Sequence, residues 1–227
     1  MSAVPILELD ALVKRFPVKG GLFGPKKFLT AVNRVSLEIR AGETLALVGE
    51  SGCGKSTVGK AIMKLHDPSE GRILIDGQDI APLTRARMKS VWRKVQTIFQ
   101  DPFSSLNPRM TAGAIVGEPL TIHRLASGAE KDRIVAETFQ KVGLRPDQMH
   151  RYPHEFSGGQ RQRLSIARAL VVGPDLIIAD EPVSALDVSI QAQVINLMQD
   201  LQREFDIAFL FIAHDLAIVR HFCPEVA

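Results

Sequence analysis

The chain has 227 residues, 45% hydrophobic and 23% charged. That is long enough to bury a core without disulfides or metals, and too apolar for long disorder or a collagen-like fibre. A formal charge of +3 excludes a nucleic-acid-coating protein and leaves such contacts only as local patches. Two cysteines, Cys53 and Cys223, make no disulfide framework and fit no zinc-ligand spacing. The N-terminal MSAVPILELDALVKRF carries acids within it and does not read as a signal peptide, and no run approaches eighteen apolar residues.

In chain order, Ile6–Phe16 alternates loosely and reads as a strand, and the Gly-, Pro- and Lys-rich Pro17–Lys27 as a solvated loop. A second strand is expected at Val32–Ile39. Thr44–Val48 (TLALV) is a short continuous apolar run, the pattern of a strand buried on both faces. It enters a glycine-rich loop and then Thr57–Leu65, which has helical spacing. Further strands are expected at Arg72–Asp76 and Val95–Phe99. From Asp101 to Val172 the texture turns helical, with helices expected at Thr111–Leu120, Ala129–Val142 and Gln160–Val171. Strands follow at Leu176–Ala179 and Ala208–Ala213. Between them Ile190, Val194, Leu197, Leu201 and Phe205 mark one face of a helix over Val188–Phe205. Strands alternating with helices predict an α/β fold with a mostly parallel sheet and a helical insertion. The chain stops at Pro224–Ala227 where another strand is expected to begin, as a domain cut from a longer protein would.

Gly49-Glu50-Ser51-Gly52-Cys53-Gly54-Lys55-Ser56 matches the phosphate-binding P-loop at every fixed position, with Thr57 opening the helix. Its glycines let backbone N–H groups turn toward a phosphate, and the helix N-terminus adds its positive dipole end. Lys55 can reach the β- and γ-phosphates, and the Ser56 hydroxyl can ligate Mg²⁺. Cys53 in this loop is either an inert gap-filler or a modifiable thiol. Leu176–Glu181 (LIIADE) is an apolar strand ending in two carboxylates: Asp180 suits Mg²⁺, and Glu181 suits polarising a water.

Phe156-Ser157-Gly158-Gly159-Gln160, followed by Arg161-Gln162-Arg163, forms a second anion site at a helix start, with Ser157 as N-cap. With these residues together, the sequence resembles an ATP-binding-cassette ATPase, with Phe156 where that family's signature motif commonly has Leu. In the expected order, Gln100 is similar to the Q-loop glutamine, Ser184–Asp187 to the D-loop and His214 to the switch histidine. Phe16 stands where the family places an adenine-stacking aromatic, with Phe28 as a competitor.

The resemblance implies a P-loop core with an N-terminal antiparallel β part and a helical subdomain. It divides a single ATPase domain into a core (1–100 and 173–227) and an arm (about 101–172). It also implies ATP and Mg²⁺ as cofactors, Ser56, Gln100 and Asp180 around the metal, and Glu181, His214 and Gln100 at the reacting phosphate. Two such domains would pair head-to-tail, so that Ser157, Gly158, Gly159, Gln160 and Asp187 face the partner's nucleotide. Glu50–Thr57, the segment Phe99–Thr111 (FQDPFSSLNPRMT) and the long loop before Phe28 are similar to ATPases of oligopeptide, dipeptide and nickel importers. That group normally continues beyond the switch histidine into a C-terminal extension absent here. Its partners are integral-membrane permease subunits, a second ATPase subunit and, indirectly, an extracytoplasmic binding protein, with no nucleic acid. It works at the cytoplasmic face of the inner membrane, its grip on the permease expected near Asp101–Thr111. Peptide leads nickel or glutathione-like cargo. Two other classes are a non-transport ATPase of the same superfamily, which usually carries two cassettes or a long coiled-coil insertion, and a small-molecule kinase. A kinase has no use for Phe156–Gln160 or Ser184–Asp187.

Overall fold

The computed structural model describes residues 4–18, 27–101 and 105–222. Two four-stranded sheets form the frame. In the first, β1 (Leu7–Val18) pairs antiparallel with both β2 (Lys27–Ile39) and β4 (Glu70–Ile75), and β5 (Gln78–Asp79) closes the order β2-β1-β4-β5. In the second, β3 (Thr44–Val48), β8 (Ala208–Ala213), β7 (Leu176–Asp180) and β6 (Val95–Ile98) run parallel in the order β3-β8-β7-β6. The helices are α1 (Lys55–Ile62), α2 (Arg85–Lys94), α3 (Ala112–Ile122), α4 (Gly128–Lys141), α5 (Gly158–Leu170), α6 (Val188–Phe205) and α7 (Leu216–Phe222).

Alternation along β7 and β8 sets the two cores. Leu176, Ile178, Leu210 and Ile212 face a core shared with α1, α2 and the antiparallel sheet. Ile177, Ala179, Phe209 and Phe211 face the opposite core, which holds Val116, Phe139, Leu164 and Met198 of the helices. With both faces covered, β8 is buried at every position.

Several expectations are corrected. Thr44–Val48 is a strand, but it forms one edge of the four described parallel strands, so each of its residues is half-buried rather than buried on both faces. The segment expected at Arg72–Asp76 spans Glu70–Ile75 and belongs to the antiparallel sheet. Of the expected loop at 17–27, Pro17, Val18 and Lys27 are strand residues, because β1 and β2 continue pairing to Val18↔Lys27. Residues 19–26 lie outside the described residues, as do 102–104 of the expected permease contact, and Cys223. The strand β1 is also not regular: Ala11 adopts φ 47° where the register shifts between Leu9 and Leu12. Helix α2 and strand β5 were not expected. The helices of 101–172 are present where the texture predicts them, capped at Thr111 and Ser157, whose hydroxyls accept from Ala114 N and Gln160 N.

Candidate nucleotide site

The P-loop leaves the C-terminal end of β3 and turns into α1. Gly52 and Gly54 take φ 82° and 105°, which only glycine adopts without strain. Gly54 has a second reason to be glycine: a Cβ there would sit 2.1 Å from the Ala31 carbonyl oxygen of β2. The antiparallel sheet therefore presses on the loop. Lys55 is buried, and its Nζ donates to the carbonyls of Gly49 (2.6 Å) and Glu50 (2.8 Å), folding the ammonium back over its own loop.

Across the end of β8, Ser56 Oγ donates to Asp180 Oδ1 of β7 at 3.0 Å. Burial raises the Asp180 carboxyl above its usual range; the Ser56 hydrogen bond lowers it, and the Glu181 charge raises it further. Glu181 adopts φ 47°, held by its N–H to Ile212 O and by Ser184, whose N–H and Oγ both donate to Glu181 O. That uncommon backbone conformation is fixed by the end of β8 and the following turn. The Glu181 Oε2 accepts from Gln100 Nε2 at 3.0 Å and lies 3.2 Å from His214 Nδ1.

These groups converge. Phe16, Ser51, Gly52, Gly54, Lys55, Ser56, Thr57, Gln100, Glu181 and His214 line one cavity of about 520 Å³, together with Leu29 and Ala31 of β2. Phe16 is half-buried, its ring edge-on to His66 at 5.2 Å and under Lys14 Nζ at 5.1 Å. Phe28 is not among the lining residues and is 56% exposed. Leu29, opposite Phe16 in the β1–β2 register, and Ala31 of the same strand are the lining residues that motif reasoning missed, because only strand pairing brings them there.

The remaining expected residues lie elsewhere. Ser157, Gly158, Gly159, Gln160 and Asp187 do not line the P-loop cavity. At the start of α5, Ser157 N–H donates to Gln160 Oε1 (3.0 Å) while Gln160 N–H donates to Ser157 Oγ (3.3 Å). This is a capping box, and the Ser-x-x-Gln spacing could have announced it. Phe156 is buried in the core beneath the loop, which accommodates an aromatic in place of Leu. Arg161 Nε donates to Pro153 O and Arg163 Nη1 to Val142 O, so these two arginines brace neighbouring loops. Asp187 is the N-cap of α6 without a side-chain cap bond; Gln191 of that helix holds the preceding turn through Val183 O and Leu186 O.

The Ser56–Asp180 pair supplies two hard oxygen donors beside the cavity, one of them a carboxylate whose charge burial disfavours. Among the described residues no cluster of three or more His, Cys, Asp or Glu could hold a metal alone. The two oxygens of Ser56 and Asp180 suit Mg²⁺, which keeps several waters and shares phosphate oxygens rather than filling an all-protein cage.

A parallel sheet with a P-loop at the end of β3 and paired carboxylates at the end of β7, with β8 between them, defines a P-loop nucleotide hydrolase. The sequence profile of the ABC transporter family matches residues 32–184. The oligopeptide transport ATP-binding protein AppF of Bacillus subtilis is 55% identical over 97% of this chain, which spans 68% of that protein. The glutathione import ATP-binding protein GsiA of Pectobacterium atrosepticum is 53% identical over 99% of the chain, which covers only 36% of GsiA. A probable peptide ABC transporter ATP-binding protein of Sinorhizobium fredii is 50% identical, and the chain spans 63% of its length. The dimeric ATP-binding cassette MJ0796, solved bound to ADP and Pi, superposes with a TM-score of 0.82 at 31% identity, covering 95% of this chain and 90% of that one. The chain belongs to the ABC transporter family; it is an ATPase of that class, using ATP and Mg²⁺.

Proposed function

We propose that the chain is the ATP-hydrolysing subunit of a membrane importer for peptides, worked by closure and opening of an ATPase dimer. The observation that carries this is the convergence of Lys55, Ser56 and the Gln100–Glu181–His214 cluster on one cavity, with Asp180 bonded to Ser56 beside it. The cargo assignment rests on similarity to relatives named for oligopeptide and peptide transport. A second cargo, glutathione, is favoured by the GsiA similarity alone.

The P-loop backbone and Lys55 bind the phosphates, and Phe16 stacks on the adenine. Ser56 and Asp180, with Gln100, would hold Mg²⁺, which would supply charge neutralisation for the phosphates. Glu181 takes the proton of the attacking water. Its carboxylate is oriented by Gln100 and His214, and the latter also contacts the γ-phosphate. Because Ser157–Gln160 and Asp187 do not line their own chain's cavity, they serve the nucleotide of a second ATPase subunit.

The chain acts as one domain, with 1–100 and 173–227 as the core and 101–172 as a helical arm. Gln100 stands at the junction, so its contact with Glu181 ties the arm to the reacting centre. The arm engages integral-membrane permease subunits at the cytoplasmic face of the inner membrane, and a binding protein outside delivers cargo. Among the described residues no helix is long and apolar enough to cross a membrane, so that attachment is through partners.

The test is the solution mass of Glu181→Gln by light scattering, with and without MgATP. An ATP-dependent dimer supports closure of two copies. A chain that neither binds ATP nor dimerises overturns the nucleotide assignment, and one that binds ATP but stays monomeric requires a different ATPase as partner.

A further inference from the structure

A second cleft, of about 660 Å³, opens between the exposed face of α2 and the C-terminal end of α3. Helix α2, RARMKSVWRK, carries five cations and no acid. Its Met88 and Val91 are buried in the core, which turns the charged residues outward. Lys89, Arg93 and Lys94 of this helix face His123 and Arg124 across the cleft. The single carboxylate in the lining, Asp175, lies 3.9 Å from Lys94, which also pairs with Asp76. Lys89, Arg93 and Arg124 have no carboxylate partner among the described residues. Some exposed arginines elsewhere do have one, as Arg72 with Asp10, Arg133 with Glu130 and Arg145 with Asp147, but what distinguishes this site is that its cations share one cleft.

The His123 imidazole registers this crowding. Its pKa lies below the ordinary histidine value, through burial first and then through the charges of Arg93 and Lys89. Lys89, Arg93 and Arg124 with an imidazole thus converge on an open space whose one carboxylate, Asp175, lies beside Lys94, an excess of positive charge that an anion relieves.

We propose that this cleft binds a phosphate-bearing anion, held by Arg93, Arg124 and Lys89, with His123 as a further donor. Two guanidinium forks and an ammonium form a dense donor set, which a phosphate takes up through its non-bridging oxygens, three on a terminal phosphate and two on the diester of a phospholipid. The same chemistry is met by a free polyphosphate or by the headgroup of an anionic phospholipid. Exposed Ile122 in the same lining gives the second an apolar contact.

The test uses the full chain with ¹⁵N-labelled histidine and saturating MgADP, so that the P-loop is occupied. The His123 resonance, assigned with His123→Asn, is followed on adding inorganic pyrophosphate, phosphatidylglycerol vesicles or phosphatidylcholine vesicles. The proposal expects a saturable shift with pyrophosphate or with phosphatidylglycerol, and none with phosphatidylcholine. A response to pyrophosphate assigns a soluble ligand; a response to phosphatidylglycerol alone assigns a headgroup. Arg93→Glu with Arg124→Glu should weaken the response at least tenfold, while MgADP affinity is unchanged. Lys89→Glu, at an exposed position, serves should the double variant not fold. A His123 resonance that moves with neither phosphate probe, moves equally in the charge-reversed variants, or moves only with hexaglutamate overturns the proposal. MgADP affinity in the same samples reports separately on the nucleotide site.

Discussion

Glu181 Oε2 lies 3.2 Å from Nδ1 of His214, and the two residues stand at the ends of adjacent strands. The Glu181 side chain is only 15% exposed against 51% for His214. The carboxylate is thus sheltered, with Gln100 donating from one side and the imidazole near the same oxygen. Glu181→Gln preserves shape while removing the basic oxygen. The expected result is ATP affinity within about twofold of wild type and turnover lowered about 10²- to 10⁴-fold. Phosphate release and equilibrium ATP binding measure the two; wild-type turnover would remove Glu181 from the base role.

Lys55→Ala is expected to weaken ATP binding by at least about tenfold, the loss of one charge-assisted contact of roughly 1.5 kcal/mol or more. The side chain also ties the loop through Gly49 O and Glu50 O, so part of the loss comes from a loosened P-loop. Calorimetry with ATP and with inorganic triphosphate checks this. Both ligands should weaken alike, because the lysine meets phosphates and not the base.

How far the sequence reveals this site depends on how local each contact is. The P-loop and LIIADE are contiguous, so spacing alone finds Lys55, Ser56, Asp180 and Glu181. The close approach of the Ala31 carbonyl to Gly54 and the presence of Leu29 in the cavity depend on the pairing of β1 with β2, and no short pattern encodes them. Helix α2 buries only Met88 and Val91, three residues apart, which is too short a stripe for hydrophobic periodicity to reveal. The edge position of Thr44–Val48 is a property of strand order; an all-apolar run looks the same in the middle of a sheet.

Asp180→Asn tests the metal pair. Burial first, and then the neighbouring Glu181 charge, raise the Asp180 pKa above its unfolded value, against the lowering by Ser56. The folded chain therefore holds more protons across that window, and its stability falls as pH rises from the ordinary carboxylate range through the folded value. In magnesium-free buffer at pH 7 the variant should melt higher, by on the order of 1 °C once solvent screening of the partly exposed group is allowed for. Its nucleotide affinity should lose its dependence on Mg²⁺. A lower melting temperature, or intact Mg²⁺ dependence, would count against the assignment.

The choice between Phe16 and Phe28 is settled by alanine at each. Phe16 lines the P-loop cavity and Phe28 does not. Base–aromatic stacking is worth about 1–3 kcal/mol, so Phe16→Ala should weaken ATP roughly 5- to 150-fold and leave inorganic triphosphate unchanged. Phe28→Ala should alter neither; the opposite pattern would move the adenine contact to β2.

Gly159 offers a test in which packing and ligand contact separate. A Cβ there would lie 2.6 Å from Ile190 Cγ2 of α6, so the glycine has a structural duty whatever it binds. Overpacking of this kind costs about 1–3 kcal/mol. Gly159→Ala should therefore lower the melting temperature by several degrees as well as ATPase activity, since it pushes the start of α5 away from α6. Adding Ile190→Ala makes room for the new methyl and should recover most of the melting temperature. If activity returns with it, the glycine is required for helix packing; if stability returns and activity does not, the bare backbone of Gly159 is needed at the nucleotide of the opposing subunit. The proposed dimer mechanism expects the second result.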